Sequence, residues 1–189
     1  MKACWSGLML LVAMAAQGEP VTPGDSLYQL RFGVITQENR RHGLDLYRGH
    51  VTLVSMFYAS CPDVCPLLIT TLQQVDGQLS AEERQRLRVL LVSIDPRHDT
   101  PAVLQELARL HRVDASRWSL VQTGAANVRQ LAAALNIQYR ELPDGNFNHS
   151  TVTTVLDGDG RMLGRTATLG RVDPQFFATL KSALQAPRR

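Results

Sequence analysis

Apolar residues recur along this chain in two alternating rhythms, one of strands and one of helices. Between residues 28 and 34, Tyr28, Leu30, Phe32 and Val34 alternate with other residues, which predicts a half-buried strand at the start of the domain. Residues 38–43 read as a polar turn. Residues 51–58 are apolar and β-rich enough for a central strand, and Cys61 and Cys65 follow at once. Beyond Pro66, Leu68, Leu72, Val75 and Leu79 recur at helical spacing. Residues 87–94 form a near-continuous apolar run, as expected of a strand covered on both faces. Thr100 followed by Pro101 predicts a helix start, because the hydroxyl caps free amides and proline fits the first helical position. Leu104, Leu107, Ala108 and His111 continue its period.

The second half repeats the alternation. Residues 118–121 predict a strand, 127–135 a helix rich in Ala and Leu, and 137–142 a short strand. Pro143, Asp144, Gly145 and Asn146 are turn residues, with His149 in the loop just after them. Residues 151–156 and 161–168 flank Asp157, Gly158, Asp159 and Gly160, which predicts a hairpin. Asp173 and Pro174 open a last helix carrying Phe176, Phe177, Leu180 and Leu184. Strands alternating with helices imply parallel pairing, and the closing hairpin adds antiparallel strands. A thioredoxin-like α/β sandwich satisfies this order: a central mixed sheet with helices on both faces and an N-terminal strand extension.

With 189 residues and 44% hydrophobic content, the chain has enough apolar surface for one such domain without staples. The net charge of +3 arises from 20 basic and 17 acidic residues spread along the sequence, with no run of like charge to bind nucleic acid. The start is organised differently. Lys2 precedes an apolar stretch over residues 7–16, and Ala13, Ala15, Ala16 and Gly18 lie ahead of Glu19 and Pro20. That pattern predicts a secretory leader over residues 1–18 and an exported domain over 19–189. The apolar stretch falls well short of the roughly 20 residues that cross a bilayer, which favours a cleaved leader over an anchor.

Export changes what the cysteines mean. Cys4 leaves with the leader, and Cys61 and Cys65 remain. As a disulfide they would close too small a loop to constrain much chain entropy, so their purpose is chemical. At the hand-over from strand to helix, free amides and the helix dipole favour thiolate, so at least one sulfur is expected to ionise readily. Spacing of four puts both on one side of the first helical turn. On spacing alone, thiol redox chemistry is favoured over metal binding. Two soft thiolates with an imidazole also suit copper, Cu(I) above all, whereas zinc would need a fourth ligand.

Three ordered motifs decide between these. Tyr58-Ala59-Ser60-Cys61-Pro62-Asp63-Val64-Cys65-Pro66, then Ser93-Ile94-Asp95-Pro96-Arg97-His98-Asp99-Thr100-Pro101, then His149-Ser150 before a strand, together resemble the Sco/SenC family from about residue 46 to the last helix. The resemblance implies a thioredoxin fold that binds Cu(I) or Cu(II) and delivers copper to the dinuclear copper site of cytochrome c oxidase. The implied ligands are Cys61, Cys65 and His149, with Asp95 near the metal and Asp63 in the polar position between the cysteines. The implied partners are the copper-bearing oxidase subunit and other copper carriers or thiol reductases, met in the periplasm or at the outer face of the inner membrane. The alternative role in the same pathway is a thiol-disulfide oxidoreductase that reduces the oxidase's copper-binding cysteines with Cys61 and Cys65.

Two departures stand out. Family members commonly carry Asp before the metal histidine, where this chain has Asn148, and Glu and Arg in the Asp95 loop, where it has Arg97 and His98. His98 is thus a second imidazole near the site and a rival ligand, against which a solvated loop histidine is the favoured reading. His42, His50 and His111 fall in polar connections or on a helix and read as ordinary side chains. Neither Asp-Gly loop continues to a calcium-binding glutamate. Met56 and Met162 are isolated, which gives a methionine copper site no support, and Tyr58 stands where peroxiredoxins carry threonine.

Overall fold

The computed structural model describes residues 25–61 and 64–187. The leader expected over residues 1–18, with Cys4, and also Asp63, lie outside the described residues. In chain order the elements are β1 Gly33–Thr36, β2 Arg41–Gly43, β3 Val51–Phe57, α1 Val64–Gly77, α2 Ala81–Arg86, β4 Leu87–Ser93, α3 Pro101–Leu110, β5 Trp118–Gln122, α4 Ala125–Ala134, β6 Tyr139–Glu141, β7 Phe147–His149, β8 Thr153–Leu156, β9 Met162–Thr166 and α5 Pro174–Gln185. Seven strands form one sheet in the order β2-β1-β5-β4-β3-β8-β9, and β6 pairs with β7 in a separate ribbon.

The centre of the sheet lies where the sequence is most continuously apolar. β3 and β4 run parallel from Val51 opposite Leu87 to Phe57 opposite Ser93, and β5 continues the parallel set. Every residue of β3 is buried, which requires cover on both faces of the sheet. β8 joins β3 antiparallel, and β1 joins β5 antiparallel, so the sheet is mixed. This is the expected thioredoxin-like architecture, with the β1–β2 hairpin as the N-terminal extension.

Local chemistry explains where the structure departs from the periodicity. The strand expected over residues 28–34 is restricted to Gly33–Thr36, and Leu27–Gln29 form a short 3-10 helix instead. Ser26 Oγ accepts the Tyr28 amide at 3.1 Å, and the Leu27 amide donates to the Gly160 carbonyl at 2.9 Å. Those bonds hold Tyr28 in the core without strand geometry. Gly160 has φ +83, and a Cβ there would come within 2.6 Å of the Tyr28 ring, so glycine is required. The region read as a polar turn holds a tight turn with Asn39 at φ 58 and then β2. The helix α2 arises from a capping box, in which Ser80 Oγ accepts the Glu83 amide and the Glu83 carboxylate accepts the Ser80 amide.

Two ties brace the elements that carry the site. Arg117, just before β5, donates two hydrogen bonds to Asp76 near the end of α1, at 2.6 and 3.1 Å. Thr100 caps α3 as expected, its side chain accepting the Val103 amide at 3.4 Å. That fixes the loop between β4 and α3.

Candidate metal and thiol site

The site forms at the carboxyl end of the two central parallel strands. β3 ends at Phe57 and leads through Tyr58, Ala59 and Ser60 to Cys61, while Cys65 is the second residue of α1. Pro66 therefore lies inside the first turn, where its missing amide costs nothing. Both sulfurs are unbridged thiols, and both residues are buried, at 8% and 2% exposure. The two side chains are close enough to hydrogen-bond each other. The pairing was expected from one shared helical turn, but Cys61 precedes α1, so the contact forms across the junction into the helix.

Ionisation is another matter. Burial pushes the Cys65 thiol well up, with the neighbouring Cys61 and Asp99 adding to the rise and the Tyr58 backbone opposing it. At Cys65, then, the helix terminus does not ease ionisation as expected, because desolvation of the charged form outweighs it.

The loop after β4 packs beside the thiols. Asp99 is 2% exposed, and its Oδ2 accepts the Ser93 hydroxyl at 2.5 Å and the Ala59 amide at 3.0 Å, so one carboxylate ties the β4 loop to the cysteine loop. Burial raises the Asp99 pKa, and these two hydrogen bonds partly offset it. Asp95 is equally buried; its Oδ2 lies 2.7 Å from His98 Nδ1, and its Oδ1 has no hydrogen-bond partner among the described residues. A cleft of about 540 Å³ opens beside this loop, lined among others by Asp95, Arg97, Tyr139, Glu141 and Phe147.

His149 reaches the site from the third side, on a strand rather than in the expected loop. It ends β7, opposite Tyr139 of β6, because residues 142–146 close a hairpin with Gly145 at φ 82. Phe147 and His149 share one face of β7 and both pack on Tyr58, with ring centroids 5.3 and 5.9 Å away. Tyr58 Oη also donates to the Phe147 carbonyl at 3.4 Å, and an ion pair between Arg97 and Glu141 fastens the ribbon to the Asp95 loop. Burial lowers the His149 pKa, with the Ser150 backbone acting in the opposite direction, which favours the neutral imidazole that metals bind. Its Nδ1 is buried with no hydrogen-bond partner among the described residues.

The arrangement therefore brings Cys61 and Cys65 together and sets His149 against Tyr58, which itself contacts the thiols. Among the described residues no three His, Cys, Asp or Glu side chains converge closely enough to hold an ion. A three-coordinate site of Cys61, Cys65 and His149 thus needs the imidazole and the sulfurs to come closer together. Two unbridged thiols and an orphaned, neutral imidazole nitrogen do fit a soft metal chemically. Sequence reasoning missed Tyr58 and Asp99 as parts of the site; the signal for Asp99 was its place in the second motif. His42 and His50 contact local carbonyls, of Gly43 at 2.9 Å and Arg48 at 3.2 Å, and His111 caps α3, so these three stay outside the site.

Comparison with known proteins agrees with this fold. A sequence model of SCO1/SenC matches residues 21–185. A protein of Stutzerimonas stutzeri named as copper-binding is 28% identical over 154 residues, covering 76% of this chain and 74% of its own. The structure of Bradyrhizobium japonicum ScoI with copper bound superposes with a TM-score of 0.65 at 22% identity, over 80% of this chain and 96% of that one. BsSco, whose structure is described as revealing a disulfide switch in a member of the Sco family of cytochrome c oxidase assembly proteins, gives 0.69 at 20% identity, over 82% and 92%.

Proposed function

The chain belongs to the SCO1/SenC family, and on that premise we propose that it is an exported copper carrier in cytochrome c oxidase assembly, holding the ion with Cys61, Cys65 and His149. The observation that carries this reading is the pair of unbridged, hydrogen-bonded thiols, with a buried imidazole nitrogen that lacks a partner among the described residues set against the neighbouring Tyr58. Soft thiolates select Cu(I) and must be deprotonated to bind it, so copper entry displaces both thiol protons. Cys61 and Cys65 supply two thiolate charges, one more than Cu(I) carries. His149 supplies a neutral third donor and closes the site with the β6–β7 ribbon. Asp63, between the cysteines, and Asp95, in the neighbouring loop, act around the ligands rather than on the ion.

Release is ligand exchange, in which thiolates of the oxidase subunit replace those of this chain one at a time and no electrons move. The apolar residues 7–16 behind Lys2 support export, with residues 1–18 as the leader and the periplasm or the outer face of the membrane as the working place. No helix among the described residues is long and apolar enough to cross a membrane.

A second reading uses the same sulfurs. Because the two thiols already touch, Cys61 and Cys65 can close a disulfide while handing two electrons and two protons to a disulfide of the partner, leaving that partner's cysteines reduced. Copper analysis of the reduced full chain and of Cys61→Ser and Cys65→Ser separates the two. The carrier reading expects one copper per wild-type chain and none retained by either variant, since a neutral hydroxyl is a poor ligand for soft copper. Retention of copper by both variants would place the site elsewhere.

A further inference from the structure

The thiols that receive the ion are buried, and so is the unpartnered nitrogen of His149. An ion arriving from solvent needs a donor it can meet at the surface. Near the site, Ser60, Val64, Leu67, Arg97, His98 and Asn148 are exposed, and of these only His98 carries a strong metal donor. We propose that His98, oriented by Asp95, is an outer copper ligand through which the ion enters and leaves the Cys61 and Cys65 pair. The inference rests on the copper-carrier reading and deepens it.

Three observations support it. The His98 side chain is 69% exposed while that of Asp95 is 3% exposed, so a fixed buried carboxylate holds a solvent-facing ring. The contact of 2.7 Å engages Nδ1 with the Asp95 carboxylate, so Nε2 is the ring nitrogen left for a metal. A carboxylate on one nitrogen and a metal on the other is the arrangement that orients histidine ligands and makes them more basic.

The second observation is position. Asp99 is electrostatically linked to Asp95 and His98 on one side and to Cys65 on the other, and it is hydrogen-bonded to Ala59, two residues before Cys61. The third is Asp95 Oδ1, a buried carboxylate oxygen with no partner among the described residues, in a side chain that lines the neighbouring cleft. That oxygen is a free acceptor beside the His98 ring, in a cleft whose other charged residues are Arg97, Arg129, Arg140 and Glu141. His98 thus serves passage, and equilibrium retention stays with the three inner ligands.

The test is the rate of Cu(I) exchange between the reduced full chain and the chelator bathocuproine disulfonate, followed by the colour of the chelated ion in both directions. His98→Ala should slow capture and release together by roughly tenfold, leaving the Cu(I) affinity unchanged. Free imidazole in the buffer should restore the rate, which no purely structural role of His98 predicts. Unchanged rates in His98→Ala, or slowed rates that imidazole does not restore, would overturn the inference while wild-type copper binding leaves the parent reading standing. A wild-type chain that takes up no Cu(I) would overturn both.

Discussion

Replacing Asp99 by Ala should cost stability and loosen the copper site together. The Asp99 carboxylate is the acceptor for both Ala59 and Ser93, at 3.0 and 2.5 Å, and the side chain is almost fully buried. A hydrogen bond to a charged group contributes about 1.5–3 kcal/mol. Ser93 Oγ keeps a second partner, since it accepts the Asp95 amide at 2.9 Å, but the Ala59 amide loses its acceptor. Removing the buried carboxylate also relieves its desolvation, so the net loss is about 3 kcal/mol. In a domain of this size that lowers Tm by about 6–12 °C. Urea unfolding of the reduced protein, wild type against Asp99→Ala, measures it. A difference below about 0.5 kcal/mol would refute the tie between the loops.

Asp99 also sets a sign for pH dependence. Its folded pKa is raised by burial, so the native state binds this proton more tightly than the unfolded state does. The corresponding stability is fully present below the ordinary carboxylate range and is lost as pH rises through the folded pKa. Asp99→Asn should remove that slope, and an unchanged profile would assign it to another group.

Two further outcomes concern the scaffold. Arg117→Met should destabilise by about 2 kcal/mol in denaturant unfolding, because it strands Asp76, whose side chain is 15% exposed and loses both guanidinium hydrogen bonds. Leu104→Ala, at a fully buried position of α3, should cost about 3 kcal/mol through its cavity while copper stoichiometry stays at that of wild type.

Much of the scaffold was legible because its signals are local. β3 and β4 are continuous apolar runs, and α3 and α5 begin with Thr100-Pro101 and Asp173-Pro174, whose side chains do cap them. Residues 28–34 misled because alternation reports burial of Tyr28 and not the backbone path. That path is set by partners far away in sequence, such as the Asp159 carbonyl, which accepts the Ser26 hydroxyl across a separation of 133. The helix at residues 81–86 was not expected, because six residues are too few for periodicity to show; its signal is the capping box of Ser80 and Glu83.

The site divides in the same way. Cys61 and Cys65 are four residues apart where β3 hands over to α1, so their meeting was legible in the sequence, although Cys61 precedes the helix and shares no turn of it. The place of His149 on a strand depends on the β6–β7 pairing, and its packing on Tyr58 depends on where that ribbon lies against the end of β3. The His98 contact with Asp95 needs the turn through residues 95–99, in which the His98 and Asp99 amides both reach the Asp95 carbonyl, at 3.3 and 3.0 Å. The rise in the Cys65 pKa likewise depends on depth of burial, which no motif reports.

The most direct test of the copper site is X-ray absorption at the copper edge of the Cu(I)-loaded full chain, compared with His149→Ala and His98→Ala. Two sulfur neighbours and one imidazole nitrogen are expected in the wild type and in His98→Ala, with the nitrogen missing from His149→Ala. A nitrogen that survives loss of His149 and disappears with His98, or a copper with no sulfur neighbours, would contradict the assignment of Cys61, Cys65 and His149 as the ligands.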